Sequence, residues 1–163
     1  MKTKKTITDN TVDPDILAYT VGDDPVLDRD LVVWDCMGTA AHVTMLARMR
    51  LKTPVVTKDE AKAVCAELAH IVDEHRKGKF SIKVEDQDVH MAVERVLTER
   101  LGDLGKKIHT GRSRNDQVAV DVRLHIADEL IGLGDEFLDL AEALVEFGAE
   151  HDRVPLVGGT HLQ

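Results

Sequence analysis

Aromatic side chains are scarce in this sequence: one Trp, one Tyr and three Phe, or 3% of 163 residues. A core without large rings has to be filled by Leu, Val, Ile, Ala and Met, which suits helix packed on helix, so the expected fold class is all-α. Positive charge is also in deficit. Thirty acidic residues against 21 basic ones leave a formal charge of -9. That balance speaks against non-specific nucleic-acid binding, and it requires any anionic ligand to find a locally positive pocket on a repelling surface. Only two cysteines occur, Cys36 and Cys65, each within an apolar stretch. They are expected as reduced core thiols, with neither a disulfide nor a metal pair between them. No apolar run approaches a membrane span. Met1 to Asn10 carries three lysines without a following apolar segment, so no secretory signal is expected and the cytoplasm is the default location.

What is present is helical periodicity. Residues 1–28 hold Thr, Asp, Gly and Pro without sustained spacing and are expected to form an extended arm. Val32, Cys36, Ala40, Val43 and Ala47 then keep helical spacing up to about Arg50, where Lys52-Thr53-Pro54 ends the pattern. Thr57 and Glu60 have the spacing of a capping box ahead of Ala61, Val64, Leu68 and Ile71, a helix expected to stop at Gly78. Phe80, Ile82 and Val84 alternate with polar residues and predict a short extended segment. Asp86 or Asp88 can cap the next helix, which Gly102 ends.

The last element is the longest. Val118, Val122, Ile126, Leu130, Leu133, Phe137, Leu140, Leu144 and Phe147 recur at threes and fours, and Ala127, Ile131, Leu138 and Val145 add a second apolar track. A helix of about thirty residues spans roughly 45 Å at 1.5 Å per residue. Gly132 and Gly134 weaken the expectation that it is continuous. Apolar on more than one side, it predicts a bundle whose other helices come from further along a longer polypeptide, from other subunits, or from both. The expected organisation is an arm (1–28), an N-terminal helical domain (29–112) and the start of a central helical bundle (113–163).

The residues that carry chemistry gather at the head of that helix. Lys106, Lys107, Arg112 and Arg114 place four cations near His109, in a Gly-containing loop of an acidic chain. Helix N-terminal amides beside arginines suit a carboxylate or phosphate. The commoner meaning of such a loop is a solvated basic turn with Asn115 or Asp116 as helix cap. The spacing is not that of a phosphate-binding Gly-rich loop, so a nucleotide is not expected. Asp86, Asp88, His90 and Glu94 cluster around a helix start. No second His or Cys stands at ligand spacing, so neither a metal nor another cofactor is expected there. Thr160-His161 follows a glycine pair, and a histidine is the side chain best suited to move protons near neutral pH.

The segment His109-Thr110-Gly111-Arg112-Ser113-Arg114-Asn115-Asp116-Gln117 resembles the HTGRSRNDQ signature of the argininosuccinate lyases. Asp88-Val89-His90-Met91-Ala92-Val93-Glu94 is similar to that family's DIHMAVE stretch, and Thr160-His161-Leu162-Gln163 to its THLQ. Trp34 to His42 is similar to its looser D-x-x-G-S-x-A-H helix. The likeness runs from about residue 20 to residue 163. It implies the fumarase and aspartase superfamily: cofactor-independent tetramers around a central bundle, each active site shared by three subunits. It further implies cleavage of argininosuccinate into arginine and fumarate. Arg114 and Asn115 would hold the succinate part, Ser113 and Thr160 would donate hydrogen bonds, Asp88 would approach the cationic arginine part, and His161 would transfer a proton.

The sequence departs from that pattern at Asp24, where many relatives place a substrate-contacting serine, and at Gly159, where a tyrosine is common. The family's serine-containing loop lies beyond the segments matched, so the chain is expected to be a fragment or to be completed by another chain, and inactive alone. The alternatives are another fumarate-releasing lyase, such as one acting on adenylosuccinate, and a non-catalytic structural module like the lens crystallins drawn from this superfamily.

Overall fold

The computed structural model describes residues 12–155 and 157–161. Among them there is no strand, and the fold is all-α. The helices are α1 (Pro14–Val21), α2 (Asp24–Leu27), α3 (Val32–Arg48), α4 (Lys58–Arg76), α5 (Val89–Leu101), α6 (Asp103–Lys106) and α7 (Arg114–His151), with single 3-10 turns at Asp28–Leu31, Val84–Asp86 and Lys107–His109. The chain divides into two compact units, residues 1–125 and 126–163.

The segment expected as an extended arm is helical from Pro14, while residues 1–11 of that segment lie outside the described residues. The prolines counted as breakers sit in the first turns of α1 and α2, where the missing N–H is no loss and the fixed φ already suits a helix. The Asp13 side chain accepts from the Asp15 N–H at 2.9 Å, and Gly22 closes α1 at φ 54°.

In the first unit, α3 buries Val32, Cys36, Val43 and Leu46 against Ala61, Val64, Leu68 and Ile71 of α4. Val89, Ala92, Val93, Val96 and Leu97 of α5 complete the core. The capping box at α4 is formed in both directions: the Glu60 N–H donates to Thr57 Oγ1 at 3.2 Å, and the Thr57 N–H to Glu60 Oε2 at 2.7 Å. The segment expected as extended, Phe80 to Val84, pairs with nothing as a strand. Phe80 turns into the core and the chain then coils into the 3-10 turn. Asp86 secures that turn, accepting from the Lys83 N–H and binding Arg95 through both oxygens at 2.6 and 3.0 Å. Asp88 caps α5, accepting from the Met91 N–H at 2.8 Å, and Asp28 holds the Val89 N–H at 3.0 Å.

Two glycines mark close approaches. A Cβ on Gly105 would stand 2.5 Å from the Thr98 nitrogen, so α6 crosses the backbone of α5 where only glycine fits. A Cβ on Gly38 would meet Asp121 Oδ1 and Val120 Cγ1 at 3.3 Å. Helix α7 is continuous through Gly132 and Gly134, since nothing crowds either position and the flanking Leu and acidic residues favour helix.

Within the second unit the α7 residues are exposed on every side. Leu130, Ile131, Phe137, Leu138, Leu144 and Val145 are each between 61% and 72% exposed. Both apolar tracks read from the sequence are therefore uncovered in this chain. No described helix is long and apolar enough to cross a membrane.

Candidate anion-binding site

The turn from His109 to Ser113 enters α7 at Arg114, so Asn115 and Asp116 lie inside the first helical turn and neither is its cap. Asp116 instead reaches back, its Oδ2 accepting from the Ser113 N–H at 2.9 Å. Gly111 adopts φ 76°, a left-handed conformation that lets the chain reverse into the helix without a Cβ clash. Two contacts pin this turn to α3. The His42 Nε2–H donates to the Thr110 carbonyl at 2.9 Å, and Arg112 donates to Thr39 Oγ1 at 2.9 Å. Burial lowers the His42 pKa below the ordinary histidine value, which suits the neutral imidazole in that bond.

The four cations of this region are engaged separately. Lys106 pairs with Asp103 at 2.9 Å and Lys107 with Glu60 at 2.9 Å. Arg112 is half-buried, with its Nε lacking a partner, and burial lowers its pKa. Arg114 Nε lies 3.4 Å from Asp88 Oδ2, with both side chains partly exposed. The local positive charge expected from the sequence is thus largely compensated, and of these three ion pairs the one held by Arg114 is the longest.

Of the expected site residues, the structure brings Asp88 and Arg114 together and sets Ser113 and Asn115, both exposed, on either side of Arg114 in the chain. Thr160 and His161 belong to the second unit; both are exposed, and His161 has φ 51°. Leu162 and Gln163 of the same motif lie outside the described residues. Asp24 begins α2 and is exposed, and Gly159 lies in coil. The acidic group that looked local in sequence diverges in space: Asp86 faces Arg95, Asp88 faces Arg114, and His90 turns inward.

That inward turn reveals residues the sequence reading missed. Asp35 on α3, His90 on α5 and Asp121 on α7 meet in the interior of the first unit, exposed by 1%, 3% and 1%. His90 Nδ1 is 2.8 Å from Asp35 Oδ1 and 3.5 Å from Asp121 Oδ2. One donor atom from each lies within 4.8 Å of the others, close enough to invite comparison with a metal centre. The shortest contact is a hydrogen-bond distance, with the His90 Nδ1–H donating to the Asp35 carboxylate. Burial, and then the neighbouring Asp35, push the Asp121 carboxyl up to about 7. The signal available in the sequence was Asp35 itself, a charge on the buried stripe between Val32 and Thr39.

Comparison with known proteins bears on the same segments. Residues 27–163 match the lyase family. An argininosuccinate lyase of Xylella fastidiosa (strain Temecula1) is 41% identical over 152 residues, covering 93% of this chain and 33% of the relative. One from Thermotoga neapolitana is 40% identical over 154 residues, covering 93% and 37%, and one from Arthrospira platensis is 40% identical over 136 residues, covering 83% and 28%. The chain therefore spans about a third of the length of the curated relatives it matches. A match that runs from the end of α2 through α7, across Asp88, the pinned turn and Arg114, settles the family: the chain belongs to the lyases.

Proposed function

We propose that the chain is the N-terminal portion of an argininosuccinate lyase, splitting argininosuccinate into arginine and fumarate in arginine biosynthesis. The observation that carries this reading is the contact between Asp88 and Arg114, which joins two separate motifs at the head of α7.

The chemistry asks for such a pair. Argininosuccinate joins a dicarboxylate to a guanidinium group, so it brings both charge signs that the Asp88–Arg114 contact holds in mutual compensation. On binding, Arg114 exchanges Asp88 for a substrate carboxylate, and Asp88 is released toward the cationic arginine part. One long, partly exposed ion pair becomes two charge-assisted ones. Ser113 and Asn115 add hydrogen bonds to the succinate part, as does Thr160. Elimination begins when a base takes the proton from the carbon beside a succinate carboxylate, and the electron pair spreads into that carboxylate. The C–N bond then breaks and the guanidino nitrogen leaves with a proton. His161 transfers one of these two protons. The costly species is the highly anionic intermediate, and donors already fixed in place give the largest share of its stabilisation.

The full site, the tetramer and a cytoplasmic location belong to this proposal by resemblance. The reading is tested by joining this chain to the remaining segment of a curated relative and measuring fumarate release. Turnover of argininosuccinate, with adenylosuccinate left untouched, is expected. A joined protein that folds and assembles but releases no fumarate favours the structural-module alternative.

A further inference from the structure

We propose that Asp35, His90 and Asp121 form a buried proton-holding junction, and that His90 and Asp121 act through it as positioning residues for the turn bearing Ser113, Arg114 and Asn115. The use made of that turn rests on the function proposed above; the junction does not.

The junction ties together the three helices around the candidate site. Asp35 comes from the buried stripe of α3, and His90 lies two residues beyond Asp88 on α5. Gln117 and Asp121 are the buried residues of α7, one turn apart, the first of them two residues after Asn115. Gly38 permits the approach, because a side chain there would press on Asp121 Oδ1.

The donor and acceptor inventory does not balance without an added proton. His90 Nδ1 carries a single hydrogen, which it gives to Asp35 Oδ1 at 2.8 Å. Gln117 Nε2 donates to the same oxygen at 3.4 Å. Among the described residues, Asp35 Oδ2, Gln117 Oε1 and Asp121 Oδ2 are buried acceptors with no partner, and Arg112 Nε is a buried donor without one. Unsatisfied buried acceptors are costly, and two buried carboxylates within 4.8 Å of each other cost more. A proton on Asp121 turns an acceptor into a donor and removes one of the two negative charges together.

The charged and titratable groups around Asp121 are Asp35 and Cys36 from α3, His90 from α5, Arg112 from the turn ahead of α7 and Asp28 from the first 3-10 turn. Burial acts most strongly and raises the Asp121 pKa to about 7, Asp35 and Asp28 act in the same sense, and His90 and Arg112 oppose them. Burial also pushes the Cys36 thiol far up, so it adds no charge. Because the folded-state value of Asp121 lies above its ordinary 3.8, the proton stabilises the fold fully below about pH 4, and that contribution is lost as pH rises through about 7. Above that, a second buried charge opposes the seating of α7 on α3 and α5.

Carboxyl-carbon NMR of the 163-residue chain tests this. Asp121 is expected to titrate about three pH units above the ordinary aspartate value. Asp35→Asn is expected to bring that midpoint down by at least roughly one unit, because it removes the neighbouring charge. Asp121→Asn, an isostere of the neutral acid, is expected to match or exceed the parent's thermal midpoint at pH 8, whereas Asp121→Ala lowers it. The backbone amide signals of Ser113, Arg114 and Asn115 are expected to follow the Asp121 titration. An Asp121 midpoint near 4, or an Asp121→Asn variant as damaged at pH 8 as Asp121→Ala, overturns the proton-holding junction. Zinc at stoichiometric amounts binding the native chain but not Asp121→Asn, with shifts at His90 and Asp121, replaces the proton by a metal and overturns it too. Amides that stay silent while Asp121 titrates overturn the positioning role.

Discussion

Single residues decide where the helices of the first unit start and how near they come. Thr57 and Glu60 satisfy each other's backbone N–H at the head of α4, so Thr57→Ala is expected to cost about 1 kcal/mol, read as a lower denaturation midpoint. The Glu60 carboxyl is held down at about 2 by the Thr57 N–H and Lys107. Its share is therefore present above the ordinary glutamate range and fades as pH falls toward 2, so a Glu60→Gln variant, which lacks that share, should lose less stability in acid than the parent. Gly105→Ala meets the backbone of Thr98 and Leu97, which cannot swing aside, and is expected to cost roughly 1–3 kcal/mol or more. Gly132→Ala, in open space on a helix, should stabilise by up to about 1 kcal/mol. The capping box was legible in the sequence because its partners are three residues apart. The Asp35–His90–Asp121 junction was not, because the residues that meet come from three helices and no local spacing records them.

Elements were legible where burial and periodicity coincide. The stripes of α3, α4 and α5 could be read directly, because each helix hides one face in the same core. Helices α1 and α2 escaped, since short helices show little periodicity and their prolines resemble breakers when they are starters. Phe80, Ile82 and Val84 alternated like a strand; Phe80 and Ile82 do pack on the core, but the segment pairs with no described strand and runs into a tight turn at Val84. The second unit keeps both apolar tracks in the open. Such a surface drives association, and replacing Leu138 and Val145 by Gln together should lower the apparent mass seen in sedimentation. A parent chain that stays monomeric at high concentration would count against that expectation.

At the scale of the molecule, the proposed anion site sits at a turn fixed by other elements. The turn ahead of α7 is pinned to α3 through His42 and Arg112, while Arg114 stands partly exposed in a long pair with Asp88. The HTGRSRNDQ-like segment exposed the turn but not its compensation, because the partners Asp103, Glu60 and Asp88 belong to other elements. Spanning about a third of its relatives, the isolated 163-residue chain is expected to release no fumarate. The decisive measurement is fumarate release by the chain joined to the rest of a relative, compared with the same protein carrying Asn115→Ala or Arg114→Ala. Turnover of argininosuccinate that falls roughly a hundredfold or more in either variant is the outcome required of preorganised donors. Unchanged turnover in both variants would remove this turn from the chemistry and contradict the account.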